Sequence, residues 1–320
     1  MIENRDTRTV LCVGEALIDV VNRGKKKSEH VGGSPMNVAT VLASLEHPTS
    51  LASWWGKDER GHAIEQEAAK AGLTIVPGSD GAERTSIANA TVDEEGHATY
   101  EFDLLWEVPE LPGPREVDHL HVGSIGATLE PGAADVLAAV KRMAIQGTVS
   151  YDPNLRPAIM KRSSNVKARV EEIVSRADVV KASDEDLKWL YPNTPAEQVM
   201  RDWAAHGPGL IVVTRGPWGA YAKLAGDRDM LVVDALDVEI GDTVGAGDSF
   251  MGGLISGLLD AELLGSAAAK SALRNARWHD VQPALHRAVV ASGLTVSQNG
   301  AYAPTRDEIE NVLIAEPKLR

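Results

Sequence analysis

The segment IGDTVGAGDSFMGG, residues 240–253, places two carboxylates around a run of small residues at the start of a helical pattern. Asp242 and Asp248 flank Gly245–Gly247, and apolar residues then recur at the spacing of a helix. The first N–H groups of a helix have no partner within it, and the positive end of the helix dipole lies beside them. Small residues leave these groups accessible, so the segment predicts an anion site, with phosphate the obvious anion. A plain helix cap at Asp248 is the alternative.

The chain around this segment alternates between predicted strands and predicted helices. Short β-branched runs predict strands at 10–14, 51–55, 118–122, 148–152, 178–180 and 210–214. Helical patterns lie between them, near 35–45, 58–71, 131–146, 166–176 and 195–205, and the chain is mostly helical after Gly241. This alternation is typical of βαβ units. We therefore expect an α/β protein, with one domain over 1–320 and helices on both faces of a central, mostly parallel sheet.

Two segments interrupt the alternation, at about 17–31 and 85–106, and we call them the lid. The second segment contains the turn Asp93–Gly96 between two extended runs, which predicts a hairpin. Isolated hairpins are only marginally stable in water. The lid is therefore expected to form a small β-sheet that packs over the main sheet or against a second copy of itself, which predicts a homodimer through the lid.

Composition excludes several classes of protein. The chain has 320 residues, 43% of them apolar, and a formal charge of -14. A nucleic-acid partner is not expected, because phosphate neutralisation needs clustered Lys and Arg. The single cysteine, Cys12, has no partner for a disulfide within the chain and lies in an apolar run where burial is expected. A polar N-terminus and the lack of about 18 consecutive apolar residues predict a cytoplasmic protein that does not engage a membrane.

Four motifs together resemble one family. GDTVGAGDSFMGG is similar to the C-terminal signature of the ribokinase-like (PfkB) carbohydrate kinases, and GGSPMNVA at 32–39 resembles their N-terminal signature. VGEALIDV at 13–20 resembles the first strand of the family, and VVTRGPWGA at 212–220 resembles its nucleotide loop. GSIGATLEPGA and YDPNLRP resemble segments of the fructokinase-like members. The resemblance implies an ATP-dependent sugar kinase with a three-layer αβα ribokinase-like main domain and a β-sheet lid.

The resemblance implies a catalytic role for the segment described first. Asp248 would be the general base that takes the proton of a sugar hydroxyl as the phosphoryl group is transferred. The N–H groups of Gly245, Ala246 and Gly247 would stabilise the charge on the transferred group together with Mg²⁺. ATP would be the co-substrate.

Residues at the sugar end are implied in the same way. Asp19, Gly32, Gly33 and Asn37 would bind the sugar, and a strand-end Asp and a helix N-terminal Asn are the structural alternatives. Further along the chain, Arg156 would reach toward the substrate. Phe102, with Trp106, could cover the C–H face of a sugar, and a place for Trp106 in a dimer or lid core is the alternative.

Residues at the nucleotide end come from two motifs. Ser183, Thr214, Arg215, Gly216, Gly219 and Gly247 would line the nucleotide, and Asp186 would hold Mg²⁺ through water. A capping box at Ser183 and Asp186, and a hairpin turn at Gly216–Gly219, are the alternatives.

A monovalent cation site is implied at the start of the glycine-rich segment. Asp242 and Thr243, with a loop near 297–302, resemble the positions that hold K⁺ in the family, so K⁺ is expected to be an activator. A turn-capping Asp242 is the alternative. His119 and His121 alternate in a predicted strand without a further ligand at suitable spacing, which predicts a structural role for both.

The lid segment TYEFDLLW offers carboxylate and apolar side chains and no arginine. A carboxylated sugar is therefore disfavoured, and D-fructose phosphorylated to fructose 6-phosphate is the expected reaction. A 2-keto-3-deoxygluconate kinase or a ribokinase on the same fold is the alternative. A sugar-binding regulator without catalytic activity is a remote alternative, because binding alone does not require a base at Asp248.

Overall fold

The computed structural model describes residues 8–24, 26–92, 98–160 and 165–316. Within these residues nine strands form a central sheet. In spatial order they are β13 (Leu231–Val233), β12 (Ala220–Leu224), β11 (Leu210–Thr214), β10 (Val179–Ser183), β9 (Thr148–Asp152), β8 (His119–Gly123), β1 (Val10–Val13), β4 (Thr49–Ala52) and β5 (Thr74–Ile75). Neighbours from β11 to β5 are parallel, whereas β12 is antiparallel to both of its neighbours. The predicted mostly parallel sheet is confirmed.

Helices cover both faces of this sheet and complete the three layers. They are α1 (Ser34–Ser44), α2 (Glu59–Lys70), α3 (Gly132–Gln146), α4 (Pro157–Met160), α5 (Val166–Val174), α6 (Asp184–Leu190), α7 (Ala196–Ala204), α8 (Ala246–Asp260), α9 (Ala267–Asn275), α10 (Trp278–Val296) and α11 (Arg306–Ala315). One core lies under α1, α2, α8, α9 and α10, and a second lies under α3 to α7. Alternate residues of β1 serve the two cores, since Val10 and Cys12 join the first and Leu11 and Val13 the second.

The lid is a second sheet of four strands in the order β3 (Lys26–Gly32), β2 (Leu17–Arg23), β6 (Ile87–Val92) and β7 (Ala98–Asp103). The pair β2 and β6 is parallel, and the two outer pairs are antiparallel. Pairing joins two segments that are far apart in sequence into one four-stranded sheet, in which Ile18 and Val20 of β2 are buried, and such a sheet is more stable than an isolated hairpin. The predicted turn at Asp93–Gly96 lies outside the described residues.

Three features depart from the sequence-based expectations. The predicted strand at 51–55 is β4, which ends at Ala52, because Trp55 leaves the sheet and exchanges backbone hydrogen bonds with Ser79 and Ala82. The antiparallel strands β12 and β13 and the short helix α6 were not predicted. Trp106 does not line the lid: its side chain is buried in the second core, where its indole N–H donates to the Gly126 carbonyl at 2.9 Å.

Candidate active site

The start of α8 has the geometry that the glycine-rich segment predicts. Gly245 precedes the helix with a φ of 77°, a left-handed conformation that glycine adopts without strain. No side chain caps the first turn, although the Ala246 N–H donates to the Thr243 carbonyl at 3.3 Å. Asp248 lies inside the first turn rather than at the cap. The alternative of a plain helix cap at Asp248 is therefore wrong.

The Asp248 carboxylate is buried and is held by a different helix. Ser34 Oγ donates to Oδ1 at 2.6 Å, and Asn37 Nδ2 donates to Oδ2 at 2.7 Å. Ser34 opens α1, whose first turn also contains Pro35. The N-termini of α1 and α8 thus converge on one carboxylate, which fixes its orientation while leaving lone pairs on both oxygens. Asn37, predicted to bind sugar, contacts Asp248 in this structure.

A buried ion pair lies beside the start of α8. Lys181 Nζ donates to Asp152 Oδ2 at 2.6 Å, and both side chains are at most 5% exposed. Burial disfavours the ammonium ion, but Asp152, Asp248 and Asp186 together raise the pKa of Lys181 above its ordinary value. Burial also raises the pKa of Asp152, an effect that Lys181 opposes. A side chain added at Gly247 would lie 3.0 Å from Lys181 Nζ, so the ammonium group lies beside the first turn of α8.

Asp186 and Ser183 form the capping box that the sequence offered as an alternative. Ser183 N and Oγ donate to Asp186 Oδ2, and Asp186 N donates back to Ser183 Oγ. The other oxygen, Oδ1, accepts from Leu155 N at 2.7 Å. Ser183 is also in register with Thr214 on β11. Both predicted nucleotide residues therefore end adjacent parallel strands on the same edge of the sheet.

One face of the lid sheet presents a row of four paired residues. His30, Asp19, Ala88 and Phe102 follow one another across β3, β2, β6 and β7, and directly paired residues share a face. Burial raises the pKa of Asp19, whereas Arg156 and His30 oppose this rise. Arg156 is itself exposed, and its Nη1 donates to Asn154 Oδ1 at 2.7 Å. The structure thus brings predicted residues of the lid and the main sheet close together.

The two glycines between the lid and α1 are required by contacts within the protein. A side chain at Gly32 would collide with Asp19 Oδ2, and one at Gly33 would collide with the Glu15 backbone carbonyl. Gly33 also has a φ of 118°, which L side chains rarely adopt. Close approach of the Asp19 side chain explains Gly32, and close backbone packing explains Gly33, before any ligand is considered.

The predicted nucleotide loop joins β11 to β12 as a hairpin. Gly216 and Gly219 have φ values of 54° and 72°, as the turn alternative requires. Arg215 Nη2 donates to the Trp218 carbonyl at 2.6 Å, and the guanidinium lies 3.8 Å from the centre of the Tyr221 ring. The turn is present, and a nucleotide role for its residues stays a prediction.

Asp242 ties the loop before α8 to the predicted late loop. Its Oδ1 accepts from Val244 N and its Oδ2 from Gly300 N, each at 3.1 Å. These backbone donors, Val244 first, lower the pKa of Asp242. The neighbouring Thr243 is exposed. The two segments proposed to hold K⁺ are therefore adjacent, although the turn role of Asp242 is also realised.

His119 and His121 form part of a buried polar chain, which confirms their structural role. His119 contacts Thr148 and Ser150 at 2.8 Å, and His121 contacts Ser150 at 3.0 Å. Burial lowers the pKa of both imidazoles to about 3, so they are neutral at pH 7. No group of three potential metal ligands occurs among the described residues.

Sequence reasoning missed Ser34, Asp152, Lys181 and His30, although each lies in or beside a motif that was recognised. A lysine inside the apolar strand VVKAS was the available signal, because a buried lysine requires a partner. The partner itself is distant in sequence and is revealed only by the pairing of β9 with β10.

Comparison with known proteins assigns this chain to one family. The model of the pfkB family carbohydrate kinases matches residues 7–308. A fructokinase of Vibrio alginolyticus is 29% identical over 314 residues, which are 94% of this chain and 97% of that protein. A fructokinase of Rhizobium leguminosarum bv. trifolii is 31% identical over 269 residues, 80% of this chain and 81% of that protein.

A solved structure supports the same assignment. The crystal structure of a fructokinase double mutant from Vibrio cholerae O395, with fructose, ADP and potassium ion bound, matches with a TM-score of 0.77 at 26% identity. The match covers 95% of this chain and 98% of that chain.

The αβα sandwich with a β-sheet lid is a ribokinase-like fold, and the buried carboxylate beside an uncapped helix start is suited to phosphoryl transfer. The chain belongs to the pfkB family of carbohydrate kinases and is an ATP-dependent sugar phosphotransferase.

Within the described residues, none of the helices is both long and apolar enough to span a bilayer.

Proposed function

We propose that the protein is a fructokinase, which transfers the γ-phosphoryl group of ATP to D-fructose and forms fructose 6-phosphate. The observation that carries this proposal is the buried Asp248 carboxylate at the start of α8, held by Ser34 and Asn37. The fructokinases of two Vibrio species, one of them with fructose and ADP bound, support the choice of fructose.

Asp248 acts as the general base. A sugar hydroxyl has a pKa far above 7, so a positioned base must accept its proton as the new bond to phosphorus forms. The two hydrogen bonds from α1 restrict the rotation of the carboxylate, and its remaining lone pairs can accept the hydroxyl proton. The oxygen of the sugar then attacks the γ-phosphorus, and ADP leaves.

The start of α8 stabilises the charge of the transferred group. The N–H groups of Gly245, Ala246 and Gly247 and the positive end of the helix dipole face the phosphoryl oxygens, and the Ala246 N–H exchanges its 3.3 Å hydrogen bond to the Thr243 carbonyl for one to the phosphoryl group. Gly247 belongs to α8, whose residues from Asp248 to Leu259 are buried, so its N–H needs little rearrangement during the reaction. Ser183, Thr214, Arg215, Gly216 and Gly219 bind the rest of the nucleotide along the same edge of the sheet.

The carboxylates near Lys181 fit Mg²⁺ held mostly through water. Mg²⁺ usually keeps several waters and binds through one or two carboxylates and the phosphates of the substrate. Asp186 accepts three hydrogen bonds and has a lone pair left for a metal-bound water. Asp152 Oδ1 is buried and accepts no hydrogen bond from the described residues. When bound, Mg²⁺ neutralises phosphate charge and orients the phosphates.

The lid and the main sheet bind the sugar between them. Asp19 supplies a carboxylate for the hydroxyl groups, Phe102 adds an aromatic surface, and Arg156 and His30 flank the carboxylate. A neutral sugar fits this arrangement, since the Asp19 carboxylate would repel a carboxylated substrate such as 2-keto-3-deoxygluconate.

The test is ADP release by purified protein with Mg-ATP and K⁺ across fructose, ribose, 2-keto-3-deoxygluconate and adenosine. Turnover that is highest with fructose, with fructose 6-phosphate identified by NMR, is the expected result. Higher turnover with 2-keto-3-deoxygluconate or ribose would assign the enzyme to that substrate instead. Binding of sugar without ADP release would indicate a regulator and contradict the role of Asp248.

A further inference from the structure

The charge balance behind the anion site depends on a single lysine. We propose that Lys181 is a positioning residue of the phosphate end of the site: it holds Asp152 in place and supplies fixed positive charge behind the transferred phosphoryl group. This inference rests on the proposed kinase reaction and assigns a role to a side chain that the mechanism above does not use.

The first support is the burial of the ion pair between Lys181 and Asp152. Lys181 Nζ and Asp152 Oδ2 are 2.6 Å apart, with side-chain exposures of 5% and 0%. A buried ion pair contributes little to stability compared with apolar side chains of similar volume. Its place at the carboxyl edge of β9 and β10, where ligands of parallel sheets bind, therefore favours a role in the site.

The second support is the number of carboxylates around one ammonium group. Lys181 interacts electrostatically with Asp152, Asp248 and Asp186, so the cluster carries three potential negative charges and one positive charge. Incoming ATP phosphates would be repelled more strongly without the lysine. The ammonium group also holds Asp152, whose second oxygen is buried without a partner among the described residues.

The third support is the missing side chain at Gly247. A Cβ atom there would lie 3.0 Å from Lys181 Nζ, which is closer than ordinary contacts. Among the described residues, no other atom lies within 4 Å of that position once its chain neighbours and the backbone of its own helix are set aside. The lysine therefore approaches the anion site from behind, through the space that glycine leaves.

The experiment compares Lys181→Met with Lys223→Met. Lys223 is a second buried lysine of the central sheet, and its ammonium binds the main-chain carbonyls of Leu224 and Asp227 away from the site. Lys181→Met is expected to lower kcat about 10²-fold, the usual effect of losing one preorganised group at a transition state. The KM for ATP should rise about tenfold while the KM for fructose stays within about threefold, as expected for a group that acts on the nucleotide alone.

If Lys181 were purely structural, its replacement would not change the KM for ATP more than the KM for fructose. Near-wild-type kcat and ATP KM in Lys181→Met would overturn the proposal, as would an equal rise of both KM values. Lys223→Met should retain wild-type kinetics in any folded preparation.

Lys181→Met leaves a buried carboxylate unpaired and can prevent folding. The double variant Lys181→Met with Asp152→Asn removes both charges and keeps the shape of residue 152. A folded double variant with wild-type kcat and ATP affinity would contradict the proposal. ATP binding that is weaker than in Asp152→Asn alone, with normal fructose binding, would support it.

Titration calorimetry with Mg-ATP keeps this test separate from the test of fructokinase activity. If the wild-type protein phosphorylates none of the sugars, the proposed function fails while ATP binding remains measurable. About tenfold weaker Mg-ATP binding in Lys181→Met, with unchanged binding in Lys223→Met, then supports the role of Lys181. Equal binding in all three proteins rejects it.

Discussion

Asp248 shows how a single carboxylate can be prepared for one chemical task. It is buried at the start of α8, and its two partners, Ser34 and Asn37, come from α1 more than 200 residues earlier in the chain. A capping Asp would bond to N–H groups of its own helix, whereas this one bonds to α1 and does not cap its own helix. The same side chain and the adjacent backbone can therefore serve the sugar and the phosphate at once.

The variant Asp248→Asn tests this arrangement at the residue scale. Asparagine keeps the size of the side chain but cannot accept the hydroxyl proton, so kcat is expected to fall by about 10² to 10⁴. The KM values for fructose and ATP should change little, because binding does not require the base. Steady-state kinetics check this, with Asp135→Asn on the exposed face of α3 as the control. Turnover close to that of the wild type would remove Asp248 as the base.

At the scale of elements, the periodicity of apolar residues and the recognised sequence motifs predicted most of the fold. Strands β10 and β11 are buried, mostly apolar runs, and such segments are recognised from local pattern alone. The pairing of Lys181 with Asp152 and the burial of Trp106 were not predictable in this way. Both depend on which segments become neighbours in space. Neither the periodicity of apolar residues nor secondary-structure propensity predicts those neighbours. The lid was located in sequence, but the row from His30 to Phe102 follows from strand register.

The two loops at the start of α8 make a prediction about potassium. Asp242 accepts backbone hydrogen bonds from Val244 in its own loop and from Gly300 in the late loop, so its carboxylate links the two loops. A K⁺ ion bound between them would order the N–H groups of the anion site. Initial rates should be higher in KCl than in NaCl of equal ionic strength, and Asp242→Ala should abolish the difference. Equal wild-type rates in the two salts would exclude this cation site.

The molecule as a whole should lose stability as the pH falls from about 6.5, because three histidines are buried in neutral form. Burial lowers the pKa of His47 to about 4 and those of His119 and His121 to about 3. A histidine whose pKa is lowered in the folded protein contributes stability at pH values above its ordinary pKa. This contribution is lost as the pH falls toward the pKa of the folded state. Asp152, whose pKa burial raises, opposes the trend.

Urea unfolding between pH 7.5 and 4.5 measures this effect. Each buried histidine should add a slope of up to about 1.4 kcal/mol per pH unit to the free energy of unfolding. His47→Gln should reduce the slope, and His279→Gln, whose side chain is 80% exposed in the native protein, should not. A free energy of unfolding that stays constant over this range would contradict the neutral state of the three imidazoles.

The lid also leads to a prediction about assembly. Asp19 and Val21 point to the same face of β2, and the half-buried Val21 pairs with Ser28 and Ala90 beyond the sugar row. A second copy that packs on this part of the sheet would bury the apolar side chains and hold the lid over the site.

Light scattering should therefore give twice the 34.1 kDa of one chain. Val21→Lys should shift the mass toward that of one chain and raise the KM for fructose, whereas Val232→Lys on β13, 54% exposed, should change neither. A wild-type mass of one chain at micromolar concentration would reject the dimer and leave closure of the lid to each chain alone.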